Sequence, residues 1–286
     1  MILCIIEMLE ENEARLCENG ENTYMIKKLF CMLLCLSVTF CLFACDVRDG
    51  KILSDEDIRT ALSGKDGKTT VLLDAGHGFG DPGCTSEYLN GQNERDITLS
   101  YIYQLKEKLE AKGFEVLLTH DGTVYMSETE LTEKADLYDV EYNKENIKDN
   151  GVFDAYERAV YVNVLINERE VDYFLSVHVN ASATSSTAEG FEIDYCAENG
   201  SSRHSEFVFR SICESLEEGF PDTPRKEFAD SWADAFIVTK YTNIPSALME
   251  LGFATTPSDA EKILDISWQS ELCDAVANGI SKAFGK

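Results

Sequence analysis

Apolar residues along this chain fall into two patterns, short continuous runs and four-residue periodicities, and the two alternate. Val71-Leu72-Leu73 is a short run that leads into Asp74-Ala75-Gly76-His77-Gly78-Phe79-Gly80-Asp81-Pro82-Gly83, a glycine-rich loop after a strand. Asn93 then stands as the cap of a helix whose apolar positions Ile97, Tyr101, Leu105 and Leu109 recur every four residues, and Gly113 supplies its left-handed stop. Phe114 to Thr119 reads as the next strand. A second helix is marked by Ala155, Ala159, Val162 and Ile166, and it feeds the apolar strand Tyr173 to Val179.

Gly190 to Tyr195 follows as a strand, then a helix from Ser202 to Glu217. Phe236 to Val238 and Ala247 to Leu251 read as the last strands. Thr256-Pro257-Ser258-Asp259 has the form of a capping box with proline at the first helical position, and Leu272, Val276 and Ile280 line one face of a closing helix. This alternation predicts a single α/β domain, a mostly parallel twisted sheet with helices on both faces. Chemistry in such folds gathers at the loops after the strands, so a site is expected at the sheet edge that carries His77.

Two stretches break the pattern. Residues 46–68 are polar, with Gly50, Gly64 and Gly67, and read as a tether in which Asp55 to Leu62 has the makings of a short helix. The catalytic domain is therefore placed at 69–286. Within it, 124–150 is an acidic insertion: from Thr123 to Asn150 there are eight acidic residues against three basic ones. Loops of that length in compact domains are usually functional or disordered, and a solvated acidic face explains the composition equally well.

The amino end has its own signature. Met25-Ile26-Lys27-Lys28 precedes an uncharged run from Leu29 to Ala44, then Cys45-Asp46, which is the order of a secretory signal. The run has 16 residues and as a helix spans about 24 Å, short of the roughly 30 Å of a bilayer's hydrocarbon. Leu42-Phe43-Ala44-Cys45 resembles the lipobox of bacterial lipoproteins, with Phe43 larger than the residue usual there. That resemblance implies a lipid on Cys45 and a protein exported to the cell envelope, held at the outer face of the cytoplasmic membrane; ordinary signal cleavage and secretion is the alternative. Residues 1–45 are thus an N-terminal extension plus signal peptide. The acidic stretch Met1 to Tyr24 fits neither, so translation is read as beginning at Met25.

Charge narrows the partners. The chain carries 25 basic and 52 acidic residues, a net of −27, and offers no basic stripe to neutralise phosphates, which argues against nucleic acid. Six of the ten cysteines lie in the first 45 residues. The remaining four, Cys84, Cys196, Cys213 and Cys273, form no metal-binding spacing and read as small buried residues, with one disulfide left open.

There are only four histidines. His77 lies in the loop after the first strand and His178 near the end of another, so a sheet delivers both to one edge. With Glu94 in the first turn of a helix they make a His-Glu-His set suited to catalytic zinc, which takes three nitrogen or oxygen ligands and leaves a position for water. The long gaps between them match no short zinc motif, so spacing alone leaves the metal undecided.

Four blocks carry a resemblance: Leu73-Asp74-Ala75-Gly76-His77-Gly78 with Asp81-Pro82-Gly83; Asn93-Glu94-Arg95-Asp96; Leu175-Ser176-Val177-His178-Val179-Asn180-Ala181; and Met249-Glu250-Leu251-Gly252-Phe253. In this order they resemble the signature blocks of the zinc-dependent N-acetylmuramoyl-L-alanine amidases of the type 3 family, from Val71 to the C-terminus. The resemblance implies that His77, Glu94 and His178 bind Zn2+, that Glu250 is the catalytic acid/base, and that the substrate is peptidoglycan, cut between N-acetylmuramic acid and L-alanine. Arg158 and Asn163 resemble the family's Arg and Asn on the helix before the His178 strand, where they support the fold. His120 stands where the family usually has Arg and is expected as a surface residue. Cys84 replaces a small residue and is expected to pack; His204 is expected at the surface.

Two other readings stand beside this one. A zinc peptidase is the first, because a polarised carbonyl and a zinc-bound water cleave any well-placed amide. A wall-binding lipoprotein without turnover is the second, and retention of three ligand-type residues plus Glu250 speaks against it.

Overall fold

The computed structural model describes residues 47–48, 51–52, 54–62, 68–78, 80–123, 126–147, 153–185 and 187–286. The expected signal and lipobox lie outside these residues. Val47–Arg48 pairs antiparallel with Lys51–Ile52 as a small ladder in a unit of its own, and the second compact unit runs from Ser54 to Lys286. No described helix is long and apolar enough to cross a membrane.

The second unit is built on one six-stranded sheet. Its strands are β1 (Thr70–Ala75), β2 (Glu115–Leu118), β3 (Tyr173–Asn180), β4 (Phe191–Cys196), β5 (Arg225–Asp230) and β6 (Ser246–Phe253), in the spatial order β2-β1-β3-β6-β4-β5. The first four in that order are mutually parallel; β4 runs antiparallel to β6, and β5 parallel to β4. β1 and β6 are buried along their whole length, as strands covered on both faces must be, which is why they are mostly apolar.

The helices are α1 (Asp55–Leu62), α2 (Glu94–Ala111), α3 (Glu128–Tyr138), α4 (Ala155–Glu168), α5 (Ser202–Gly219), α6 (Ile237–Tyr241), α7 (Pro257–Leu264) and α8 (Ile266–Ala283). On one face, Val162 and Leu165 of α4 and Val238 of α6 close over Leu72, Phe174 and Leu248. On the other, the Phe191 ring stacks on Trp268 of α8, and Tyr195 meets Phe209 of α5. The α/β sheet with helices on both faces is thus as expected.

Three local expectations are corrected. Phe236 to Val238 is no strand: α6 occupies Ile237–Tyr241, and Val238 and Thr242, one helical turn apart, are both buried. A three-residue apolar run is too short for its period to distinguish the two. The strand at that end of the sheet is instead β5, an edge strand whose exposed polar residues carry no apolar alternation. At Thr256 the capping box does not form; Thr256 Oγ1 donates to the Ala188 carbonyl, while the buried Asp259 carboxylate accepts from the Gly190 and Phe253 amides at 2.8 and 3.0 Å. His120, expected at the surface, is buried, with Nε2 at 2.9 Å from the Ala75 carbonyl oxygen.

The stretches read as tether and insertion both contain ordered helix. α1 buries Ile58 and Leu62. α3, capped by the Ser127 hydroxyl, buries Leu131 and Ala135 against Phe153, Tyr156, Val160 and Val164 of the α4 region. The four cysteines of the described residues are free thiols, and His204 is half-buried at the start of α5.

Candidate active site

Parallel neighbours place their strand ends together, and here the ends of β1, β3 and β6 carry the site. β1 ends at Ala75 and the chain turns at once through Gly76 and His77; His178 and Glu250 are register partners on β3 and β6. Glu94 is the first residue of α2, positioned by the Asn93 cap, whose side chain accepts the Asp96 amide.

Three side chains far apart in sequence converge there. His77, Glu94 and His178 each offer a ligand atom, and these atoms lie within 4.8 Å of one another. His77 Nε2 is 3.1 Å and His178 Nδ1 is 2.9 Å from the same oxygen, Glu94 Oε1. Ligands on a tetrahedral zinc at about 2.0–2.1 Å lie about 3.3 Å apart, so the two histidine–carboxylate pairs need only slight opening to hold such an ion. The chemistry of the set, two imidazoles and one carboxylate, also suits it.

Each donor is oriented by a second contact. Asp81 Oδ2 sits 2.6 Å from His77 Nδ1, which turns Nε2 toward Glu94, and Asp81 Oδ1 accepts the Gly83 amide at 2.9 Å. Glu94 Oε1 accepts the Val179 amide at 2.9 Å and Oε2 the Cys84 amide at 2.8 Å. Cys84 therefore serves the site through its backbone; its thiol donates to the Val179 carbonyl at 3.3 Å, and burial with the nearby Glu94 charge pushes the thiol up, keeping it protonated.

Two glycines make this closeness possible. A Cβ on Gly76 would fall 2.4 Å from the His178 ring, and one on Gly83, at φ +67°, would fall 2.6 Å from Glu94 Oε2.

Arg158 of α4 pins the loop from below. Its Nη1 donates to Asp74 Oδ1 at 2.6 Å and to the Ala75 carbonyl at 2.8 Å, and its Nη2 donates to the His77 carbonyl. Nε donates to the Phe153 carbonyl at 3.3 Å. His77 and Phe153 are both non-glycine residues with left-handed backbone, at φ 66° and 69°. One guanidinium thus fixes two strained turns, one leading to the site and one closing the acidic insertion. Asn163 has a separate structural task, donating to the Tyr241 carbonyl and accepting the Asn243 amide at the exit of α6.

The protonation pattern follows from these contacts. Burial disfavours charge on Glu94, yet hydrogen bonds and charge from His178 and His77 hold it well below the usual carboxylate range. Burial likewise opposes protonation of His77, but Glu94 and Asp81 outweigh it and raise its pKa to about 9. Glu250 moves the opposite way to Glu94. It is 7% exposed, its Oε2 has no hydrogen-bond partner, and burial followed by the charges of Glu94, Asp194 and Glu192 pushes its pKa well up. The adjoining cavity is lined by Asp74, His77, Asp81, Phe153, Arg158 and His178, among others.

The residues singled out from sequence, His77, Glu94, His178 and Glu250, therefore share one cleft. Sequence reasoning assigned no role to the Asp81 carboxylate or the Cys84 amide; Arg158 has the supporting role expected of it, here on the His77 loop. A signal existed for the first: His77 and Asp81 are four residues apart in a glycine-rich loop, a spacing that a turn closes.

Comparison with known proteins agrees with this geometry. Residues 71–282 match the family model described as N-acetylmuramoyl-L-alanine amidase. The germination-specific N-acetylmuramoyl-L-alanine amidase of Bacillus subtilis (strain 168) is 27% identical over 225 residues, covering 78% of this chain and 81% of the relative. The uncharacterized protein YqiI of the same organism is 29% identical, covering 75% of this chain and 84% of its own. Among solved structures, the CwlD amidase from Clostridioides difficile, in complex with the GerS lipoprotein, superposes with a TM-score of 0.59 at 26% identity, over 76% of this chain and 99% of that one.

Proposed function

The chain belongs to the N-acetylmuramoyl-L-alanine amidase family, and from that premise we propose that it hydrolyses the amide between N-acetylmuramic acid and L-alanine in peptidoglycan, with His77, Glu94 and His178 holding a zinc ion and Glu250 moving the proton. The observation that carries this reading is the convergence of three metal-type donors within 4.8 Å beside a buried carboxylate with a partnerless oxygen.

Bound zinc supplies a water ionisable near neutral pH and polarises the scissile carbonyl. The residues do the rest. Glu94 keeps both oxygens tied to backbone amides, so it is fixed and ionised before any ligand arrives. Asp81 holds the His77 tautomer. Glu250 accepts the proton of the attacking water and returns it to the departing amine of L-alanine, a transfer that needs its carboxylate within one hydrogen bond of both. Its surroundings retain a proton tightly, which suits the donating half of the cycle; a neighbouring cation lowers its pKa for the accepting half.

The site sits on an exported domain in this reading, anchored through a lipid on Cys45, and the family's cell wall relatives support the location. The bond cut is tested by mass spectrometry of digested peptidoglycan. Free stem peptides beginning with L-alanine are expected; shortened stems still attached to sugar identify a peptidase and defeat the proposal. Undigested wall with zinc-loaded protein supports a binding role instead.

A further inference from the structure

The sheet continues past the acid/base residue, and its register there is informative. Glu250 on β6 is the partner of Glu192 on β4, and Glu192 is the partner of Lys226 on β5. Register partners project from the same face, so His178, Glu250, Glu192 and Lys226 form one polar row running from the site to the sheet's edge. Two residues on, Phe228 lies on that same face and is 37% exposed, so this part of β5 is open to solvent.

Lys226 is held in place within the row. Its Nζ donates to Glu192 Oε1 at 2.6 Å and sits 5.5 Å from the centroid of the Phe253 ring, while Glu192 Oε2 accepts from Asn180 Nδ2 at 2.7 Å. The Glu192 side chain is 16% exposed and that of Lys226 is 55% exposed, so the ammonium keeps donors toward solvent. Glu250, two strands away, has Glu94, Asp194 and Glu192 close enough to act on it, with His77 acting in the opposite sense. Along the row from Glu250 toward the edge, a peptide carboxylate meets the acidic Glu250 and Glu192 before it reaches the Lys226 ammonium.

Resting on the amidase reading above, we propose that Lys226, braced by Glu192, binds the free carboxylate of the peptide residue that follows L-alanine, and thereby makes the enzyme prefer an acid to an amide at that position. The distances suit this. Two strand spacings put the Lys226 backbone about 10 Å from that of Glu250, and one residue of extended peptide carries the next carboxylate about 7 Å from the scissile nitrogen. A lysine side chain spans the difference. Because the contact lies away from the reacting atoms, it is made equally in ground and transition states and acts on KM.

Steady-state kinetics on N-acetylmuramoyl-L-alanyl-D-isoglutamate and on the corresponding isoglutamine amide, with the zinc-loaded protein, test this. For the acid, Lys226→Ala is expected to raise KM about tenfold at unchanged kcat, roughly the loss of one charge-assisted hydrogen bond. The amide should be turned over as by wild type, and Lys226→Arg should restore the preference. Equal effects on both substrates, or no effect on either while wild type cleaves them, overturn the inference and leave the amidase reading intact. Wild-type protein that releases no peptide from either substrate overturns both.

Discussion

Glu94 and Glu250 are two neighbouring buried carboxylates, and their surroundings move their pKa values in opposite directions. Glu94 is 3% exposed and has each oxygen answered by a backbone amide and two imidazoles nearby, so it stays ionised despite burial. Glu250 is 7% exposed, has an oxygen with no partner, and burial and three acidic neighbours push its pKa well up. Burial is nearly the same, so the partners decide. In the proposed mechanism this difference separates a ligand, which must be a fixed anion, from an acid/base, whose proton must be mobile and whose oxygen must be left open for something other than protein.

The largest effect expected from breaking this comparison is at the two residues themselves. Glu250→Gln should lower kcat on the order of 10³-fold while the protein keeps one zinc per chain. Glu94→Gln should lose the metal as well as activity, since the amide cannot supply the anion between two imidazoles. Metal content by mass spectrometry alongside a dye-release assay separates the two; equal metal loss in both variants erases the distinction.

A smaller effect is expected behind the ligands. Arg158→Lys keeps the charge facing Asp74 but forfeits the fork that reaches both the His77 and Phe153 carbonyls. Outer contacts of this kind are typically worth 10- to 100-fold in metal affinity or activity, so zinc affinity should fall by about that factor by competition with a chelator, with the fold intact by circular dichroism. Unchanged affinity shows that the loop holds itself.

The smallest effect lies outside the cleft's chemistry. Asp194 is raised to about 8 by burial, then by Asp230 and Glu192. Its folded pKa exceeds its unfolded value near 3.8, so its contribution to stability is complete below the unfolded pKa and is lost as pH rises through about 8. Melting temperature should therefore fall between about pH 4 and pH 8, and fall less in Asp194→Asn; parallel curves for the two proteins contradict this.

Much of this was legible in the chain because the decisive elements are buried on both sides. β1, β3 and β6 each carry a short apolar run, and α2, α4 and α8 show a clear helical period. His77, Glu94 and His178 were visible as ligand types near strand ends, but their convergence followed only from the family resemblance, since their spacing matches no local motif. What stayed hidden has a common cause. β5 stabilises the edge through backbone pairing and leaves little apolar pattern, and α6 is too short to show a period. His120 is buried by its bond to the Ala75 carbonyl, which polarity alone does not predict. The Cys84 and Val179 amides are backbone groups, which every residue type carries equally, and most of the Arg158 fork's acceptors are backbone carbonyls.

Zinc-edge anomalous scattering from crystals of the metal-loaded protein tests the central claim most directly. One peak is predicted, about 2.0 to 2.2 Å from His77 Nε2, a Glu94 carboxylate oxygen and His178 Nδ1, with the Glu250 carboxylate facing the remaining coordination position. A peak bound elsewhere, or one in which Glu250 or the Cys84 thiol replaces one of those three donors, contradicts it.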